Sequence, residues 1–286
     1  MKIIICLLVV SALATVVTAN AGWMDQVQKL ADPQSRERKI LSGSSQVLSS
    51  SREIDYPTER SIGEALALES MQRFGRPIDN EAVQKYVNLV GAVVVKSSLR
   101  STIPYHFTIL DSPVQNAFAA PGGIIFISKA LLLTLTDEAE LAAVLAHEVG
   151  HIAAKHALKS TKRAQFLQGV GTITAATSGS KGKDYQALIG DLQSKLFDQG
   201  LDKSMEFEAD LAAMETTYRA GYDPFAMIRV LQRLQKLEAS SVKKGSWFST
   251  HPPLAERIAR LKKVESRYPD AATLAELPAR FQAKVK

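Results

Sequence analysis

The sequence predicts an α+β fold, mainly α-helical with one small sheet, and three observations lead to it. From residue 58 onward most of the chain carries apolar side chains at helical spacing. One stretch, residues 103–127, changes to short β-branched and aromatic runs with a Pro-Gly-Gly turn inside it. At 286 residues, 46% of them hydrophobic and 22% charged, the chain can bury one sizeable core or two small ones.

At the N-terminus, "MKIIICLLVVSALATVVTANAGWMDQ" has one lysine, an apolar run from Ile3 to Val10, and small residues ending in Ala19-Asn20-Ala21, an A-x-A cleavage pattern. Residues 1–21 are expected to be a cleavable secretory signal peptide, which makes the protein periplasmic or secreted. An uncleaved anchor is the competing reading, because Ile3 to Ala21 is nearly long enough to span a bilayer. Cys6, the sole cysteine, falls inside this segment, so the mature chain has neither a disulfide framework nor a thiolate nucleophile. Residues 22–57 are polar and Ser-rich and are expected to form a loose arm. Residues 58–286 are expected to be the functional domain.

Within it, helical patterns run from Glu59 to Phe74 and from Asp79 to Lys96, the second with Val83, Val87, Val90 and Val94 on its core face. Three strands are expected in "YHFTILD", "QNAFAA" and "IIFIS". The segment "TLTDEAELAAVLAHEVGHIAAKHALKS" reads as one long helix, with Asp137 and Glu140 at capping-box spacing. Gly169 to Lys183 breaks the pattern, which resumes over Tyr185 to Phe197 and over Lys203 to Ala220, where Gly221 stops it. A further helix from Phe225 to Glu238, a loop through "KKGSWFSTHPP" and a stripe of Leu254, Ile258 and Leu261 complete the chain. No internal apolar run of 18 residues occurs, so no transmembrane span is expected in the mature chain, and membrane association would be peripheral to the envelope. The net charge of +6 sits in short clusters such as Lys162-Arg163 and Lys262-Lys263, which read as solvated faces. Without an aromatic-interleaved basic stripe, nucleic acid is not an expected partner.

The chemistry centres on "HEVGH". Residues four apart on a helix share a face, so His147 and His151 can aim two imidazoles at one tetrahedral zinc, and Glu148, one step round, can reach a water beside it. Incidental histidines are disfavoured, because the surrounding Ala, Leu and Val mark a buried stretch where unpaired polar groups are costly. A catalytic zinc needs a third protein ligand. His156 is not it: on a continuous helix it lies about 140° from His151 and about 180° from His147, which leaves it on the surface or supporting a ligand from behind. Ala154 and Ala157 stand where a metzincin would have Gly and His, which excludes that class. A carboxylate from "KSMEFEADLAAMETTYRAG" remains. There Phe207, Leu211, Met214 and Tyr218 read as the apolar stripe, with Glu206 and Asp210 together on a neighbouring face. On the residues alone Glu206 leads, Glu208 rivals it, and an acidic solvent face is the plain alternative.

"HEVGH", then "EFEAD", then "STHPPLAERI" resemble the zinc metallopeptidase family that includes the CAAX prenyl endopeptidases, HtpX, BepA and LoiP, over roughly Ile62 to Leu261. The resemblance implies a zincin-like peptidase domain of gluzincin type, in which the edge strand of the sheet borders the active-site helix. It implies one Zn²⁺ per chain on His147, His151 and Glu206, with Asp210 as the paired acid behind a ligand and Glu148 as the base. It also implies that Asn116, Ala117, Phe118 and Ala119 form the edge against which an extended substrate pairs, and that His251 stands by the metal, as a transition-state donor or as a fourth ligand. Unlike in the membrane branch, no spans are expected after the signal, and unlike in the long envelope relatives, no helical-repeat tail is expected after the last matched helix. The expected function is a zinc endopeptidase of envelope protein quality control acting on unfolded or misassembled polypeptides. The alternative is a latent protease serving as chaperone or assembly factor for outer-membrane proteins.

Overall fold

The computed structural model describes residues 54–161, 182–238, 250–251 and 253–286. The expected signal peptide, nearly all of the expected arm, residues 169–181 of the expected break and most of the loop before His251 lie outside the described residues.

Helix α1, Tyr56–Phe74, starts where the Asp55 carboxylate caps Thr58 N at 3.0 Å, with Pro57 in its first turn, and stops at Gly75, φ 117°. Helix α2, Glu81–Lys96, is capped by Asn80 through Val83 N and buries Val87, Val90 and Val94 as its spacing predicts. Strands β1 (His106–Leu110), β2 (Ala117–Ala120) and β3 (Ile124–Ser128) form one sheet in the order β1-β3-β2, with β1 parallel and β2 antiparallel to β3. The period of two divides their side chains: Phe107, Ile109, Ile125 and Ile127 enter one core, Phe118, Phe126 and Ile124 another. The sheet is thus covered on both faces, and β2 is an edge.

After a short helix α3, Lys129–Thr134, comes α4, Glu138–Ala153, opened by the Asp137 side chain on Glu140 N at 2.8 Å. Every residue of α4 from Glu138 to Ile152 is buried, the situation of a helix enclosed on all sides. The expected continuation through Ser160 does not occur. Lys155 takes the left-handed conformation, φ 55°, and α5, His156–Lys159, folds back so that His156, Ala157 and Leu158 are buried instead of trailing into solvent.

Helix α6, Gly182–Ser194, widens into a π-helical turn at Lys195–Gln199. Then follow α7 (Lys203–Arg219), α8 (Ala226–Glu238), α9 (Leu254–Lys262) and α10 (Pro278–Val285). Among the described residues no helix is long and apolar enough to cross a membrane. Two polar knots fasten the layers. Buried Glu138 accepts Tyr86 Oη at 2.7 Å, Tyr222 Oη at 2.6 Å and Arg280 Nε at 2.6 Å, which pins α10 to the start of α4. Buried Glu59 accepts both Arg100 terminal nitrogens at 2.7 Å and Gly122 N at 3.0 Å, while Arg100 also donates to Ile152 O at 3.2 Å.

Helix α1 meets the turn after β2 closely: a Cβ on Gly63 would fall 1.8 Å from Pro121 O, whereas one on Gly190 would meet nothing within 4 Å. Gly63→Ala is therefore expected to lower stability by about 1–3 kcal/mol through overpacking. Gly190→Ala, inside α6, should raise it by up to about 1 kcal/mol. Urea midpoints of the two variants, moving in opposite directions from wild type, check this.

Candidate metal centre

Helices α4 and α7 lie side by side because Gly150, inside "HEVGH", has no side chain to hold them apart; a Cβ there would stand 3.3 Å from Ala212 Cβ and 3.4 Å from Ala209 Cα. Across this contact His147 and His151 face Glu206. The two Nε2 atoms are 3.0 Å apart, and each is 3.6 Å from an oxygen of the Glu206 carboxylate. His251, outside both helices, completes a fully buried group of four whose ligand atoms all lie within 4.8 Å of one another.

These residues fit a metal ion. His147 Nδ1 lies 3.0 Å from Asp210 Oδ1, so in the neutral ring the proton sits on Nδ1 toward that carboxylate and Nε2 keeps a lone pair that points at His151. Both Glu206 oxygens are buried without an aligned hydrogen bond, a costly state that a cation would relieve. A tetrahedral ion with bonds of about 2.0–2.2 Å holds its ligand atoms about 3.3–3.6 Å apart, close to the spacing found. The field points the same way. Burial opposes charge on His147, yet the Asp210 and Glu206 carboxylates outweigh it and push its pKa up to about 9, so positive charge is favoured here. Burial, and then the neighbouring His147, hold His151 and His251 well below the usual imidazole range.

Glu148 points toward the same space. Neither of its oxygens has an aligned hydrogen bond, His251 Nε2 is 3.8 Å from Oε1, and burial raises the carboxyl to about 8. A cavity opens beside it, walled by Phe118 and Ala119 of β2, Ile152 of α4 and Leu196 of the π-helical turn.

Of the expected edge residues, Asn116 is turned inward, its carbonyl accepting Ser128 N at 2.8 Å. By the antiparallel alternation Phe118 also pairs with β3, which leaves the main-chain groups of Ala117 and Ala119 facing the open edge. Asn116 has another contact, since Thr250 Oγ1 lies 3.4 Å from its side-chain oxygen and 2.9 Å from His251 Nδ1.

On α7 the expected apolar stripe is corrected. Met214 is buried and Tyr218 packs on the core as expected, but Leu211 is exposed and Phe207 only half-buried, and the acidic face with Glu206, Ala209, Asp210 and Ala213 is buried instead. The reason is compensation from elsewhere: Arg257 of α9, wholly buried, forks Asp210 through Nε at 2.7 Å and Nη2 at 2.6 Å. Its Nη1 lies 3.1 Å from Glu206 Oε2 and donates to His251 O at 2.7 Å. Burial would raise the Asp210 pKa, but Arg257 holds it below the usual carboxylate range. Reading the sequence missed Arg257. The available signal was an arginine on the inward side of the Leu254, Ile258 and Leu261 stripe. Glu208 does not reach the four-residue group, and its side chain is 63% exposed.

Comparison with known proteins bears on the same segment. The model of peptidase family M48 matches residues 81–265. The mitochondrial metalloendopeptidase OMA1 of Schizosaccharomyces pombe is 31% identical over 190 residues, covering 65% of this chain and 53% of that protein. The beta-barrel assembly-enhancing protease of Escherichia coli is 29% identical over 190 residues, 64% of this chain and 39% of that protein. The metalloprotease LoiP of Escherichia coli is 30% identical over 159 residues, 56% and 62%. The chain thus spans only about two fifths to three fifths of these relatives' length.

Arg257→Met would leave Asp210 and Glu206 buried without their shared cation, at an expected cost of about 3–5 kcal/mol. Arg257→Lys keeps the charge but not the fork, and should fall between the two. Unfolding of the metal-free variants in urea measures both.

Proposed function

The chain belongs to peptidase family M48, and from that premise we propose that it is a zinc-dependent endopeptidase whose metal is held by His147, His151 and Glu206. The observation that carries this reading is the convergence of three buried ligand side chains from α4 and α7, one of them the Glu206 carboxylate, whose two oxygens lack any aligned donor. Zinc suits two imidazoles and a carboxylate with a position left over. When bound, it supplies Lewis acidity, polarising a carbonyl oxygen and making water a stronger acid.

The chain's own residues do the rest. Glu148, buried and free of aligned donors, takes the proton of the water that attacks the peptide carbonyl and then delivers it to the leaving amine. Asp210 fixes the tautomer and direction of His147, and Arg257 keeps Asp210 ionised for that task. The outward main-chain groups of Ala117 and Ala119 are suited to pairing with an extended substrate, which recognises backbone and so tolerates varied sequences. Unfolded or misassembled polypeptides are the substrate class this favours, and with residues 1–21 read as a signal, the compartment is the periplasm or outside.

A second reading has an observation of its own: His251 is among the four groups that could hold one ion. With His251 as fourth ligand the protease is latent, and the protein serves as a chaperone or assembly factor, an activity consistent with the name of its beta-barrel assembly-enhancing relative.

Cleavage of casein should vanish on chelation and return with zinc. Glu148→Gln should keep one zinc per chain and lose about 10²- to 10⁴-fold in turnover; undiminished hydrolysis in that variant would remove Glu148 from the mechanism. His251→Ala separates the two readings, because turnover falls if His251 assists catalysis and rises if it blocks the metal.

A further inference from the structure

His156 is buried, yet it belongs to no part of the mechanism above. Its Nδ1 is 2.9 Å from Nδ1 of His151, and the two rings meet edge to face at a centroid distance of 5.0 Å. On its other side Nε2 stands 3.3 Å from Oε2 of Glu208, within ion-pair distance though not in hydrogen-bond alignment, and the Glu208 side chain is largely exposed. On a continuous helix His156 would point about 140° away from His151. What brings it back is Lys155, one of two non-glycine residues at positive φ among the described residues, which ends α4 and restarts the chain as α5. A strained residue just beyond "HEVGH" is held there by its surroundings and places one imidazole against another.

The protons can be counted. With His151 Nε2 turned to the metal as a lone pair, its proton is on Nδ1 and is donated to His156 Nδ1. His156 then carries its own proton on Nε2, facing the Glu208 carboxylate. His147 is served directly by Asp210, and His151 by Glu208 through one intervening ring.

We propose that His156 and Glu208 are positioning residues that fix the tautomer and aim of His151, so that all three acids of "EFEAD" serve one site: Glu206 as ligand, Asp210 behind His147 and Glu208 behind His151. This rests on the reading that His147, His151 and Glu206 hold the metal.

The test is zinc affinity of the full chain, by competition with a chromophoric chelator, together with the visible spectrum of the cobalt-substituted protein and the melting temperature of the metal-free form. Wild type should bind one zinc; failure there overturns the metal reading itself. Given that binding, His156→Ala should weaken it about 10- to 100-fold and shift the cobalt bands. His156→Asn, which sets an amide oxygen where Nδ1 stood, should recover most of the loss, while His156→Gln should not. Glu208→Ala, at an exposed position, should weaken binding several-fold without changing the metal-free melting temperature. Wild-type affinity in both His156→Ala and Glu208→Ala overturns the proposal, and so does a loss in His156→Ala that Asn fails to rescue. If His156→Ala does not fold, Glu208→Ala decides alone.

Discussion

One buried guanidinium holds the centre of this protein in order. Arg257 forks Asp210, stands against Glu206 and donates to the carbonyl of His251, so a single side chain of α9 ties down α7 and the segment that carries the remaining histidine. Two carboxylates one turn apart on a buried face would otherwise repel each other. With the cation between them Asp210 stays ionised and can accept a hydrogen bond from His147 Nδ1, which leaves the opposite nitrogen of that ring facing His151 and Glu206. An ammonium group could supply the charge but not two parallel hydrogen bonds and a third to a carbonyl.

The same logic extends along α4. Enclosing a helix on all sides is inexpensive for its Ala, Leu and Val residues and costly for its polar ones, and nearly every polar group has a partner from a different element. Glu138 is met by two tyrosines and Arg280, Glu140 by Arg233, His147 by Asp210 and His151 by His156. Glu148 alone is left with both oxygens lacking an aligned donor.

Much of this was legible in the sequence, for local reasons. Asp55, Asn80 and Asp137 cap helices through side chains only a few residues away, and the Pro-Gly-Gly turn joins β2 to its antiparallel neighbour β3 within a few residues. The i, i+4 spacing brings His147 and His151 together wherever the helix is placed. What was not legible depends on distant partners. Periodicity assigned the inward side of α7 to Phe207 and Leu211, because the cation that makes an acidic face buriable lies some fifty residues later, at Arg257. Helix geometry turned His156 away, because nothing in "HIAAKH" announces a left-handed lysine. The rivalry between Glu206 and Glu208 likewise turns on direction, which spacing does not give: Glu206 stands beside both imidazoles and Glu208 beside His156.

The Glu59–Arg100 knot bears on how such a protein can be divided. Glu59 holds the amide just past β2, and Arg100 holds the last turns of α4, so the edge strand and the helix of His147 and His151 are set in register with each other through one ion pair. Half of that pair sits on α1, upstream of residue 81, where the family match begins. A fragment trimmed to the matched residues would remove Ile62, Leu66 and Ala67 from one face of the sheet and leave Arg100 facing Ile152 without the Glu59 counter-charge. The smallest piece with the site intact is therefore longer than the piece that family likeness alone would outline.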